Sequence, residues 1–185
     1  YPSAEVCGHI SRAHYYRIFF LNHLNDFVKR GEHVGQIRLW AERALALNPR
    51  SVEAHTSLGR TKMIADWDGQ ASESHFRQAL DIRQGHATAH QWYAFQLASR
   101  AAFGEALVEG HTAVELDQGS VSARRSLGWQ YYYARRWDQA RYHLERAIAI
   151  ELRELKLLHP EVKVKLFYRR DIERLAQRYG LKLAS

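Results

Sequence analysis

The segment ATAHQWYAFQLASRAAFGEALVEGHTAVELDQ, residues 87–118, is followed 34 positions later by VSARRSLGWQYYYARRWDQARYHLERAIAIEL, residues 121–152, and the two share one pattern. Each begins with a helical stretch, turns, and begins another. At that offset Ala94 falls on Gly128, Leu97 on Tyr131, Ala106 on Ala140 and Ala113 on Ala147. Small residues recur where two helices would touch, and self-similarity at a fixed period of about 20–50 residues marks a repeat array. Residues 52–85 repeat the scheme with Leu58, Gly59, Phe76 and Ala79. Ala79, however, lies 35 positions after Ala44, which places one inserted residue near the DWDG of residues 66–69. Upstream, IRLWAERALALNP (residues 37–49) supplies the second helix of an earlier unit, and SRAHYYRIFFLNHLNDFVKR (residues 11–30) is apolar enough to be its first.

The helical reading has a physical basis. In WDQARYHLERAIAIEL the apolar residues stand at 137, 140, 144, 147 and 148, a spacing of three and four that makes one apolar stripe. A single hairpin cannot hide both of its stripes, whereas stacked hairpins can. Stability then becomes a sum of neighbour interfaces, and the ends need caps. Residues 161–185 fit a C-terminal cap: Tyr168, Ile172, Leu175 and Tyr179 form a stripe, Arg169, Arg170, Glu173, Arg174 and Arg178 face outward, and Gly180 ends the helix.

From Arg38 to Leu152 the chain resembles a tetratricopeptide-repeat (TPR) array, whose units are helix hairpins of about 34 residues with small residues at the eighth, twentieth and twenty-seventh positions. The resemblance implies an all-α, right-handed superhelical stack of about four hairpins, with units near residues 9–49, 52–86, 87–120 and 121–158, followed by the capping helix. Pro49 closes one unit as TPR prolines do, but Gln84, Gln118 and Leu152 stand at the other closing positions, so looser repeat ends and a last helix running to about His159 are expected. DWDGQASESHFRQALDIRQGHATAHQWYA with SLGWQYYYARRWDQA further resembles the TPR region of bacterial winged-helix transcription regulators and related signalling proteins. That likeness implies a sensory or interaction module within a larger bacterial protein, in the cytoplasm.

In TPR proteins positions two, five, nine, twelve and thirteen of each first helix line the concave groove. By that resemblance Arg125, Trp129, Tyr132 and Tyr133 face the groove, with Gln91, Phe95 and Ser99, then Thr56, Arg60 and Met63, in the preceding repeats. Leu127, Gly128 and Tyr131 fall on the buried side, and Trp137 opens the next helix and locks the turn. Rigid aromatic rings beside arginines suit interaction hot spots, since guanidinium groups bind carboxylates bidentately. The lysine and asparagine clamp by which one TPR subfamily grips the carboxyl termini of chaperones is absent: Thr56, Arg60, Gln91, Phe95, Arg125 and Trp129 hold its positions. The expected partner is a peptide segment, another domain of the same protein, or a second copy.

The 185 residues are 46% hydrophobic, with three prolines and no apolar run near the length of about 18 that a membrane span needs, which argues against a disordered or membrane-spanning chain. The chain begins at Tyr1 rather than Met, as a fragment or processed product would. Its one cysteine, Cys7, allows no internal disulfide and favours a reducing compartment. The net charge of +7 is unevenly spread: from residue 119 onward fifteen Lys/Arg face seven Asp/Glu. A basic C-terminal third offers a rival reading in which Arg124, Arg125, Arg135, Arg136, Arg169, Arg170 and Arg174 bind phosphates. A secretion-type chaperone holding a peptide segment is another.

Catalytic and cofactor signals are missing from the sequence. His86 and His90 have the i, i+4 spacing of two metal ligands, but no third ligand stands at a suitable distance, and packing or capping is the expected role. DWDG lacks the later oxygens of a calcium loop and reads as a helix-to-helix turn, with Asp68 as N-cap and Trp67 as wedge. No glycine-rich phosphate loop is present, and Cys7 has no sequence-level partner to activate it. The sequence is therefore read as non-enzymatic, without metal or cofactor.

Overall fold

The computed structural model describes Ser3, Glu5, Val6 and residues 27–158, with side chains from residue 32 onward in the continuous part. Residues 11–26 of the expected first helix, the capping helix and Cys7 lie outside the described residues; residues 27–30, expected to end that first helix, instead begin the helix that runs on to Leu47. The chain divides into two compact units, 1–148 and 149–185. Among the described residues seven helices and no strand are present: α1 Phe27–Leu47, α2 Val52–Ile64, α3 Gly69–Ile82, α4 Ala87–Ser99, α5 Phe103–Leu116, α6 Val121–Tyr133 and α7 Trp137–Leu158. Helices α2–α3, α4–α5 and α6–α7 are the three hairpins read from the 34-residue period, and α1, whose expected partner helix lies outside the described residues, packs on α2 ahead of them.

Local chemistry sets the helix starts. The side chains of Ser51, Asp68 and Ser120 accept from the third backbone N–H beyond them, at 3.4, 2.9 and 3.1 Å, which satisfies one of the amides that a helix start leaves orphaned. His86 caps α4 in the same way, Nδ1 accepting from Ala89 N at 3.2 Å. Between hairpins, backbone bonds Ser51 to Asn48, His86 to Arg83 and Ser120 to Asp117, all of 3.1–3.2 Å, close one turn three times over. The joints at Gln84 and Gln118, which lack proline, are closed like the one that has it, contrary to the looser ends expected there, and at Leu152 the helix runs on.

Within each hairpin the turn carries one non-glycine residue of positive φ: Trp67 (56°), Ala101 (62°) and Arg135 (58°), each 34 residues apart. The α2–α3 turn has four residues where the other two have three, which is where the inserted residue went. Trp67 is not the wedge expected of it, since the residue is 86% exposed. The longer, left-handed turn swings the indole into solvent, while Asp68 behind it keeps the cap. L-residues pay a steric penalty in this conformation that glycine escapes. Ala101→Gly should therefore stabilise the protein by about 0.5–1 kcal/mol in thermal unfolding, and an unchanged or lower melting temperature would show that the turn is not strained.

The small-residue columns hold the stack. Ala44, Ala79, Ala113 and Ala147 are at most 3% exposed, as are Ser72, Ala106 and Ala140 at the twentieth position. Ser72 Oγ donates to the Gly59 carbonyl at 2.8 Å, tying α3 to α2. A Cβ on Gly59 would sit 2.8 Å from the Phe76 ring, and Phe76 is itself fully buried with Tyr93, Leu97, Ala98 and Ala106. The next layer, Leu107, Leu127, Tyr131 and Ala140, joins α5, α6 and α7. Helix α4 contacts both α2 and α6, so these three first helices form one continuous wall.

Candidate functional site

The wall of α2, α4 and α6 lines a cavity of about 510 Å3 that is open to solvent on one side, within the size range of ligand clefts. Arg60, Gln91, Phe95, Arg125 and Trp129, all placed in the groove by their repeat offsets, line it together. Arg60 is 4% exposed and lies over the Trp92 ring, its guanidinium carbon 4.3 Å from the ring centroid. That stacking shields the side chain and holds its plane against α4. Trp92 and Phe95 are in ring contact at 5.5 Å, and Gln91 Nε2 donates to Ser122 Oγ at 2.9 Å, linking α4 to α6.

The other offsets divide. Tyr132 and Tyr133 do not line the cavity; they are about half exposed and form a ledge of rings with Trp129, at 5.5 and 6.2 Å, with Trp137 against Tyr132 at 5.1 Å. Trp137 thus covers the turn from outside. Thr56 lines a small adjoining recess with Glu53, Ser57, Arg60, His86 and Thr88, whereas Met63 and Ser99 line neither space. Sequence reasoning missed Trp92 and Ser126, both at the sixth repeat position, which the offset rule assigns to the scaffold. It also passed over Thr88 and Ser122, although both stand at the second position that the rule names. Asp117 and Ser120 enter from the α5–α6 turn.

The histidines are engaged inside the stack. His90 Nε2 meets the Gln84 carbonyl at 2.6 Å, so that nitrogen must carry a proton, and Nδ1 meets Glu109 Oε2 at 2.5 Å. Burial disfavours the charged ring, but the Glu109 hydrogen bond, the Gln84 carbonyl and the Glu109 charge outweigh it and raise the His90 pKa. His55 donates from Nε2 to the Pro49 carbonyl at 3.0 Å, which leaves its Nδ1 to share a hydrogen bond of 3.1 Å with His75 Nδ1. Burial, then the neighbouring His55 and Lys62, lowers the pKa of His75. Among the described residues no group of three or more His, Cys, Asp and Glu gathers where a metal could sit. In the DWDG turn, Asp66 is paired with Arg38 at 2.6 Å and Lys62 at 3.0 Å.

No protein-family profile matches the chain, and no curated protein matches it by sequence. Solved structures do match. A crystal structure of MamA superposes with a TM-score of 0.56 at 19% identity, over 79% of this chain and 89% of the other. A second MamA structure gives 0.55 at 17%, over 89% and 98%. PilF of Pseudomonas aeruginosa gives 0.61 at 16%, over 94% and 86%. Both are TPR proteins. The chain has the TPR fold. At these identities the likeness is one of fold, so the grooves of MamA and PilF are no guide to the side chains of this TPR wall. Among the described residues no helix is long and apolar enough to cross a membrane.

Proposed function

We propose that this TPR chain is a non-catalytic interaction module that holds a peptide or protein segment on the wall of α2, α4 and α6, as a sensory part of a larger bacterial regulatory protein. The observation that supports this reading is the convergence of Arg60, Gln91, Phe95, Arg125 and Trp129, from three successive repeats, on one cavity. An aromatic and guanidinium lining offers large rigid contact area with charge, the composition of interaction hot spots. The regulatory and bacterial context rests on the sequence resemblance of the DWDG to QWYA stretch to regulator-associated repeats.

A photo-crosslinking amino acid in place of Phe95 should capture a discrete protein or domain in the cell that makes the chain. The same group in place of Val108, exposed on α5 and outside the cavity, should not. Trp129→Ala should weaken capture by about 2 kcal/mol in affinity while leaving the melting temperature nearly unchanged. Capture from position 108 alone would move binding off this wall. A tryptophan variant that melts well below the parent would make Trp129 core instead.

A further inference from the structure

The side chains in the cavity also specify the chemistry of what fills it, an inference that rests on the groove reading above. The lining holds two cations, Arg60 and Arg125, against one carboxylate, Asp117, and three aromatic rings, Trp92, Phe95 and Trp129. The cations come from the two outer helices, α2 and α6, with α4 and its rings between them. Gln91, Ser122, Ser126, Thr88 and Ser120 complete the lining with neutral hydrogen-bonding groups.

Charge selects the occupant. Residues 159–185 of the chain carry seven Lys/Arg and three Asp/Glu, so this basic end would be repelled by the arginines and is a poor filling for the cavity. A nucleic acid needs a track of cations along a phosphate backbone, and two arginines separated by an apolar floor, with a carboxylate at the rim, do not form one. An arginine fork pairs in plane with a carboxylate, and a large apolar side chain is what partly exposed rings accept. We propose that the cavity receives an acidic peptide segment in which carboxylates flank a short apolar stretch, the carboxylates pairing with Arg60 and Arg125 and the apolar side chains packing on Phe95 and Trp129.

The probe is the fluorescein-labelled peptide Ser-Glu-Gly-Leu-Trp-Leu-Gly-Glu-Ser, compared by anisotropy with the same peptide carrying Gln for both Glu. The Glu peptide should bind the full chain at least about tenfold more tightly than the Gln peptide, a difference of about 1.4 kcal/mol. Arg125→Gln should erase that preference, and Arg141→Gln, on the exposed face of α7, should keep it. Arg60→Gln, because the side chain is buried, is read only if its circular dichroism matches the parent; Arg125→Gln carries the test otherwise. Glu and Gln peptides that bind alike, yet both weaken in Trp129→Ala, would overturn the anion assignment and leave the groove reading standing. Saturation by a labelled single-stranded oligonucleotide without binding of the Glu peptide would overturn the choice of an acidic peptide. Absence of binding by either peptide would also overturn it, and the crosslinking at position 95 then decides the groove reading on its own.

Discussion

Gly128→Leu should lower the melting temperature by on the order of 10 °C, the largest effect expected of any single substitution in the stack. A Cβ at residue 128 would lie 2.7 and 2.8 Å from the side-chain carbons Cγ and Cδ2 of Leu144 and 3.3 Å from the Leu144 backbone nitrogen. Swinging the leucine aside relieves only part of this, because its backbone is also close. Glycine inside a helix ordinarily weakens it, so its presence in α6 reflects the approach of α7. Overpacking of this kind costs roughly 1–3 kcal/mol, and a full isobutyl group stands at the upper end. In a chain this long each kcal/mol is about 2–4 °C. Gly128→Ala should be milder, as the equivalent Ala94 is accommodated fully buried in α4. A leucine variant that melts with the parent would mean that α6 and α7 are not packed as described.

Stability should also rise with pH between about 4 and 6.5, by up to about 3 kcal/mol, through His143. Its ring is buried on α7, stacked on Tyr131 at 5.3 Å and edge-on to His111 at 5.8 Å, with Tyr142 beside it. Burial, then the charges of His111, Arg124 and Arg146, hold its pKa down at about 4, against about 6.5 in the unfolded chain. Above pH 6.5 the ring is neutral in both states and the full stability is present. As pH falls from 6.5 to 4 the unfolded chain takes up the proton first, and folding loses ground. His75, also lowered, acts in the same sense; His90, whose pKa Glu109 raises, acts in the opposite one, its contribution fading as pH rises through its folded value. His143→Phe keeps a ring against Tyr131 and removes the proton site. Urea unfolding at pH 4.5 and 7 should then show a much smaller difference than in the parent, and an equal difference would clear His143 of the effect.

The hairpins were legible because the physics that builds them is local. A column of alanine and glycine at fixed offsets can be counted, and so can serine and aspartate caps; even the extra residue between Ile64 and Gly69 was visible as a 35-residue step. The cavity was partly legible for the same reason, since Arg60, Phe95 and Trp129 occupy one repeat position. What the offsets could not show is how a long side chain travels from its Cα. Trp92 belongs by position to the scaffold, but Arg60 reaches across from α2 to cover it, and that contact depends on two helices meeting. Tyr132 and Tyr133, at the end of α6, stand outside the cavity: both rings lie against Trp129, and Tyr132 also meets Trp137 at the start of α7. Trp67 was misjudged because a bulky aromatic in a turn normally seeks cover, and the sign of its φ is not written in the residues around it.

The regular spacing separates two vocabularies in this chain. One, spelled by Ala44, Ala79, Ala113 and Ala147, is monotonous and leaves little space for a larger side chain. The other is read across the wall as Arg60, Phe95, Trp129 and as Thr56, Gln91, Arg125, and none of its letters repeats within a word. Because the two never share a position, the second text can change while the first is copied, and duplication of one hairpin adds a letter to each word without disturbing the spelling of the rest.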